Sequence, residues 1–93
     1  MINLNNKIIC CNTEEEIRIL LTEYKNRKCR WMGGTEINPI KDTKRIFNKS
    51  YEPCFNLKNN RIEWGELDSY IYDGETVFLF DSIFKGEKLN ERI

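Results

Sequence analysis

The stretch Lys7-Ile8-Ile9-Cys10-Cys11-Asn12-Thr13-Glu14-Glu15-Glu16-Ile17-Arg18-Ile19-Leu20-Leu21-Thr22-Glu23-Tyr24-Lys25-Asn26-Arg27 decides the fold class. Lys7 to Cys11 is a short β-branched apolar run, the composition of a strand. Thr13 and Glu16 then have the capping-box spacing, in which Thr13 caps the first turn and Glu16 returns a bond to the N-cap amide. Three acids in that turn suit the positive end of the helix dipole. Ile17, Leu20, Leu21 and Tyr24 recur at i, i+3, i+4, i+7 and form one buried face. Glu14 with Arg18, and Glu23 with Arg27, make i, i+4 pairs on the other side. A strand leading into an amphipathic helix over residues 14–27 is the expected opening of the domain.

Beyond the helix, Lys28-Cys29-Arg30-Trp31-Met32 reads as a second strand, with Cys29 and Trp31 on one face and Lys28, Arg30 and Met32 on the other. Gly33-Gly34 stops it. Residues 33–50 lack a clean period and read as a long basic loop with one helical turn near Asp42 to Phe47. Pro53, Phe55 and Leu57 alternate, Lys58-Asn59-Asn60 turns the chain, and Ile62 and Trp64 alternate, which gives a hairpin. Glu66 to Asp73 is an acidic stretch closed by Asp73-Gly74. Thr76 to Phe80 is nearly all apolar and reads as a central strand buried on both faces. Asp81-Ser82 is expected to cap a last turn through Phe84, with residues 85–93 as a polar tail that frays. The order β-α-β-β-β-β predicts an α+β fold, one main helix packed on a mainly antiparallel sheet of about five strands, in a single domain over residues 1–93.

Ninety-three residues, 40% hydrophobic, are enough for one core and too few for two. The apolar runs Ile8 to Cys11 and Val77 to Phe80 fall far short of the roughly 18 to 20 residues that cross a bilayer. The start Met1-Ile2-Asn3-Leu4-Asn5-Asn6 has neither the basic region nor the apolar core of a signal peptide, so a cytoplasmic location is expected. The sequence has no His, Ala or Gln, while Ile, Asn and Lys supply 32 of the 93 residues, the skew of an AT-rich coding source. Without His, the commonest general base and metal ligand is missing. Asp42-Thr43-Lys44 and Glu23-Tyr24-Lys25 match a nuclease-like acid-x-Lys pattern only as often as chance allows. No catalytic residue, cofactor or metal is therefore assigned, and a non-enzymatic protein is expected. Cys10, Cys11, Cys29 and Cys54 include no C-x-x-C pair and read as small buried residues.

The net charge of zero conceals an uneven distribution. Residues 1–24 carry −2, residues 25–49 carry +6, residues 50–84 carry −5 and residues 85–93 carry +1. Either the basic and acidic segments pair in the fold, or each forms a binding face.

Along Lys28 to Pro39 and Cys54 to Ile83 the chain resembles a loose family of small bacteriophage-encoded accessory proteins. The resemblance rests on the acid-capped helix leading to Cys29-Arg30-Trp31-Met32-Gly33-Gly34, on Ile37-Asn38-Pro39, on the hairpin Cys54 to Gly65, and on Leu67-Asp68-Ser69-Tyr70 before the closing apolar strand. Lys28-Cys29 stands where the family carries a glycine-aromatic step. The resemblance transfers no active site. It implies a setting in the host cytoplasm, where such proteins often block host defence by binding a host protein or sequestering a nucleotide signal.

Two candidate surfaces follow. Lys28, Arg30, Trp31, Gly33, Gly34, Thr35, Asn38, Lys41, Lys44 and Arg45 combine cations and paired glycines, which suit phosphate, with an indole on which a base can stack. The competing reading puts Trp31 in the core and makes the glycines a turn. A nucleotide signal is the expected ligand, held by a homo-oligomer because one small domain leaves little room for a deep pocket. Duplex nucleic acid is not an expected partner. Glu63, Glu66, Asp68, Tyr70, Tyr72 and Asp73, with Glu75, form the alternative, an acidic face whose tyrosines anchor a protein inhibitor of the anti-CRISPR type in a basic groove of a host defence protein. The competing reading there is a solvated face with tyrosine edges packed on the core.

Overall fold

The computed structural model describes residues 3–84; the expected tail at 85–93 lies outside the described residues. The elements are β1 (Ile8–Cys10), α1 (Glu14–Asn26), β2 (Arg30–Trp31), α2 (Pro39–Phe47), β3 (Pro53–Lys58), β4 (Arg61–Glu66), α3 (Leu67–Tyr72), β5 (Val77–Leu79) and α4 (Phe80–Ile83). The fold is α+β, with one five-stranded sheet in the order β2-β4-β3-β1-β5. β1 pairs antiparallel with β3, and β3 with β4, but β5 runs parallel to β1 and β2 parallel to β4. The sheet is thus mainly antiparallel, as expected, but mixed, because its two edge strands add in parallel. The outer strands reach it by crossovers that local sequence does not encode.

α1 forms where its sequence places it, although Glu16 reaches the Asn12 amide rather than that of the N-cap Thr13, and Arg18 pairs with Glu15 rather than Glu14. Thr13 accepts from the Glu16 amide at 3.1 Å, and Glu16 accepts from the Asn12 amide at 2.8 Å. Ile17, Leu20, Leu21 and Tyr24 are fully buried. The helix ends in a Schellman-type turn, with the Cys29 amide returning to the Tyr24 carbonyl at 3.0 Å and Lys28 in the left-handed region at φ 65°. Lys28 therefore terminates the helix, and the expected strand at 28–32 shortens to Arg30–Trp31. Where a loop was expected, α2 runs for nine residues, with Asn38 accepting from the Lys41 amide and Pro39 at its start.

The sheet separates two hydrophobic clusters. Ile9, Phe55, Leu57 and Ile62 face the α1/α2 layer, joined by the α1 face, Ile37 and Ile46, with Trp31, Trp64 and Phe78 packed at the margin. Ile8, Cys10 and Cys54 face the other way, covered by Leu67 and Tyr70 of α3 and by Val77. Cys10 and Cys11 fall in opposite clusters, as adjacent residues along extended chain must. The central strand, buried on both faces, is β3. β5, expected in that role, is an edge strand of three residues with Leu79 56% exposed, because the chain turns into α4 at Phe80. The expected cap at Asp81-Ser82 is also replaced: Leu79 occupies the N-cap, and the Ser82 hydroxyl donates back to the Leu79 carbonyl at 2.8 Å.

Candidate functional site

Trp31 is half-buried against the α1/α2 cluster, and its indole Nε1 donates to Asp42 Oδ2 at 2.9 Å. The Asn38 amide donates to the same oxygen at 2.9 Å, and Arg45 approaches Asp42 Oδ1 at 3.6 Å. The Arg45 guanidinium also lies 5.9 Å from the Trp31 ring centroid, a cation–π placement. Asp42 thus fastens β2 to α2 and holds Arg45 beside it. This arrangement follows the core reading of Trp31.

The glycines make a turn. The Gly34 amide donates to the Trp31 carbonyl at 2.7 Å, the Trp31 amide donates to the Thr35 carbonyl at 2.9 Å, and Gly34 takes φ 93°. Arg30 closes the turn by donating to the Gly34 carbonyl at 3.1 Å and pairing with Glu36 at 3.5 Å. Asn38, Trp31, Gly34 and Thr35 are therefore committed to holding this corner together, and the amides of Gly34 and Lys41 point into its bonds.

The remaining cations are divided. Lys28 and Arg30 line a recess of about 240 Å³ with Lys25, Cys29, Glu36 and Ile37. Lys25 lies in the last turn of α1, outside the element picked from sequence, although a basic residue at a helix C-terminus is itself a readable signal. Lys44 instead faces a cleft of about 440 Å³ between α1 and α2, with Glu14, Glu15, Arg18, Ile40 and Thr43. That cleft balances two acids against two cations. Lys41 and Gly33 are exposed and line neither space. The ten residues expected to form one anion site thus divide among a bonded corner, two separate depressions and open surface.

The acidic surface is more continuous. In α3, Leu67 and Tyr70 turn inward, three residues apart, while Asp68, Ser69 and Tyr72 line an open depression of about 400 Å³ with Asp73. Tyr72 is 91% exposed and Ile71 59%. Ile71 was missed from sequence, since nothing local marks an isoleucine as outward in a helix that has no side-chain cap. Tyr70 lies over Gly65, where an added methyl would sit 3.4 Å from its ring. Its burial, with the nearby charge of Glu63, pushes the phenol up to about 12. Glu66 differs from its neighbours, because it accepts from the Ser50 hydroxyl at 2.6 Å and so fixes the start of α3.

The ion pairs among the described residues are Glu15–Arg18, Glu23–Arg27, Arg30–Glu36 and Asp42–Arg45, all within the first half of the chain. None links the basic segment 25–49 to the acidic segment 50–84. Glu63, Glu66, Asp68, Asp73 and Glu75 have no cationic partner among them. α2 lies on one side of the sheet and α3 on the other. No group of three or more Cys, Asp or Glu among the described residues could hold a metal ion, and no described helix is long and apolar enough to cross a membrane. Comparison with family models, curated proteins and solved structures returns no match.

Proposed function

We propose that the protein is a non-enzymatic binding module that presents the outer face of α3 to a basic surface of another protein. The observation that carries this reading is the union of Asp68 on α3 and Asp73 at its C-cap, neither in an ion pair among the described residues, with exposed Ile71 and Tyr72. Unpaired carboxylates steer a cationic partner and fix its orientation, while a tyrosine and an isoleucine supply apolar area to bury on contact. In the setting implied by the resemblance to phage accessory proteins, the partner is a nucleic-acid-binding groove of a host defence protein.

A second reading rests on the recess of Lys25, Lys28 and Arg30, whose three cations outnumber its one acid. A nucleotide phosphate would bind there. At about 240 Å³ the recess is smaller than the roughly 300 to 1,000 Å³ of ligand pockets, so a second copy of the chain would have to complete it.

One set of variants separates the two. In pull-downs from host lysate, Asp68→Lys with Asp73→Lys should abolish retention of a basic partner, whereas Lys28→Glu with Arg30→Glu should leave it intact. Both acids are exposed and make no bond the fold requires. Capture that survives reversal at α3 removes the first reading. A thermal shift with cyclic or linear nucleotides that disappears in the Lys28/Arg30 variant supports the second.

A further inference from the structure

Cys10 and Cys54 are directly opposed across the β1/β3 ladder. The Cys11 amide donates to the Pro53 carbonyl at 3.0 Å, one register step away. Because bonded and non-bonded pairs alternate along an antiparallel ladder, Cys10 and Cys54 form a non-hydrogen-bonded pair, the type in which side chains approach most closely. Cα atoms in such pairs are about 4.5 Å apart, within the range a disulfide spans. Both side chains are in the cluster beneath α3, and both are free thiols. Cys11 and Cys29 lie in the other cluster, across the sheet.

We propose that Cys10 and Cys54 form a dithiol–disulfide exchange site that takes a low-molecular-weight disulfide of the glutathione type and closes into a cross-strand bond between β1 and β3. The inference does not rest on the proposed binding face. Cys10 is the attacking sulfur: its hydrogen bond with the Cys54 thiol holds it below the ordinary thiol range, whereas the same bond and burial raise Cys54. In the first step the Cys10 thiolate attacks one sulfur of the small disulfide, the S–S bond breaks, and one small thiolate leaves. That thiolate takes the Cys54 proton. The Cys54 sulfur then attacks the Cys10 sulfur and expels the second small thiolate, which takes a solvent proton. The protein loses two electrons, and one small disulfide becomes two thiols.

Cys10 is 1% exposed and Cys54 is fully buried, so the first step requires an opening. α3 is the element that would have to lift: it is six residues long with no side-chain cap bond and no fully buried residue, so its opening breaks mainly the Leu67 and Tyr70 contacts and the Ser50–Glu66 bond at its start. Once closed, the bond would tie residues separated by most of the α1 and α2 layer and restrict the unfolded chain.

The full-length protein is incubated with oxidised glutathione, then mapped by intact mass and peptide analysis with parallel melting curves. The expected product has lost two hydrogens, contains a Cys10–Cys54 link, melts about 10 °C higher and reverts with dithiothreitol. Cys54→Ser, which keeps a hydroxyl donor beside Cys10 but cannot close the bond, should stop at a glutathione adduct on Cys10. If that variant does not fold, the map of the unaltered protein decides alone. Unreacted thiols, a persistent adduct on the unaltered protein, or a bond involving Cys11 or Cys29 would each overturn the proposal.

Discussion

One oxygen of Asp42 accepts from both the Trp31 indole and the Asn38 amide, while the other faces Arg45. Removing that carboxylate orphans a half-buried indole N–H and weakens the start of α2. Asp42→Ala should therefore lose about 2 kcal/mol in urea unfolding, with Asp42→Asn in between because its amide oxygen can still accept both bonds but its NH2 replaces the oxygen that faces Arg45. Changed tryptophan fluorescence would report the freed indole. Tyr70 gives a different test. An unfolded tyrosine ionises near pH 10, whereas in the fold Tyr70 is pushed up to about 12, first by burial and then by Glu63. The native state holds that proton more firmly, so this contribution is complete below pH 10 and is lost as pH rises through 12. The stability difference between the unaltered protein and Tyr70→Phe should stay level to pH 10 and then shift against the unaltered protein. Neither role was legible in sequence. The Trp31–Asp42 contact spans eleven positions, and Asp42 read from sequence is one acid in a basic loop.

At the scale of elements, legibility followed locality. α1 carries its cap, its apolar face and its charge pairs within fifteen residues, and the hairpin carries its turn in Asn59 and Asn60, both at positive φ. α2 had its start signals too, Asn38 as cap and Pro39 in the first turn, but an Asn-Pro pair also marks turns. Its inward face, Thr43 and Ile46, is too short to show a period among three basic residues. α3 offered no cap at all. The strand reading of Lys28 failed because a lysine seldom adopts the left-handed backbone that closes α1. Lys28→Gly should relieve that conformation and raise stability by up to about 1 kcal/mol, less the entropy that glycine adds to the unfolded chain. A denaturation midpoint that falls would show that the Lys28 side chain contributes more than its backbone costs.

For the whole molecule, the sheet answers the question posed by a balanced charge. It lies between α2 and α3, so the cations of α2 and the acids of α3 are held on opposite faces, with no ion pair between those helices among the described residues. Composition could state the imbalance but not its geometry, since that depends on which strand neighbours which. The same strand order constrains how the protein is made. Among the described strands, β1 is joined to β3 and β5, and β2 to β4, with a single local bridge between Arg30 and Glu36 besides. A ribosome that has produced both large helices has therefore yet to deliver a strand partner for either early strand. Apart from that local bridge, strand pairing waits until β3 emerges. The β3–β4 hairpin, whose turn is local, is then the first piece of sheet available, and β1 joins it by reaching back across more than forty residues of finished chain.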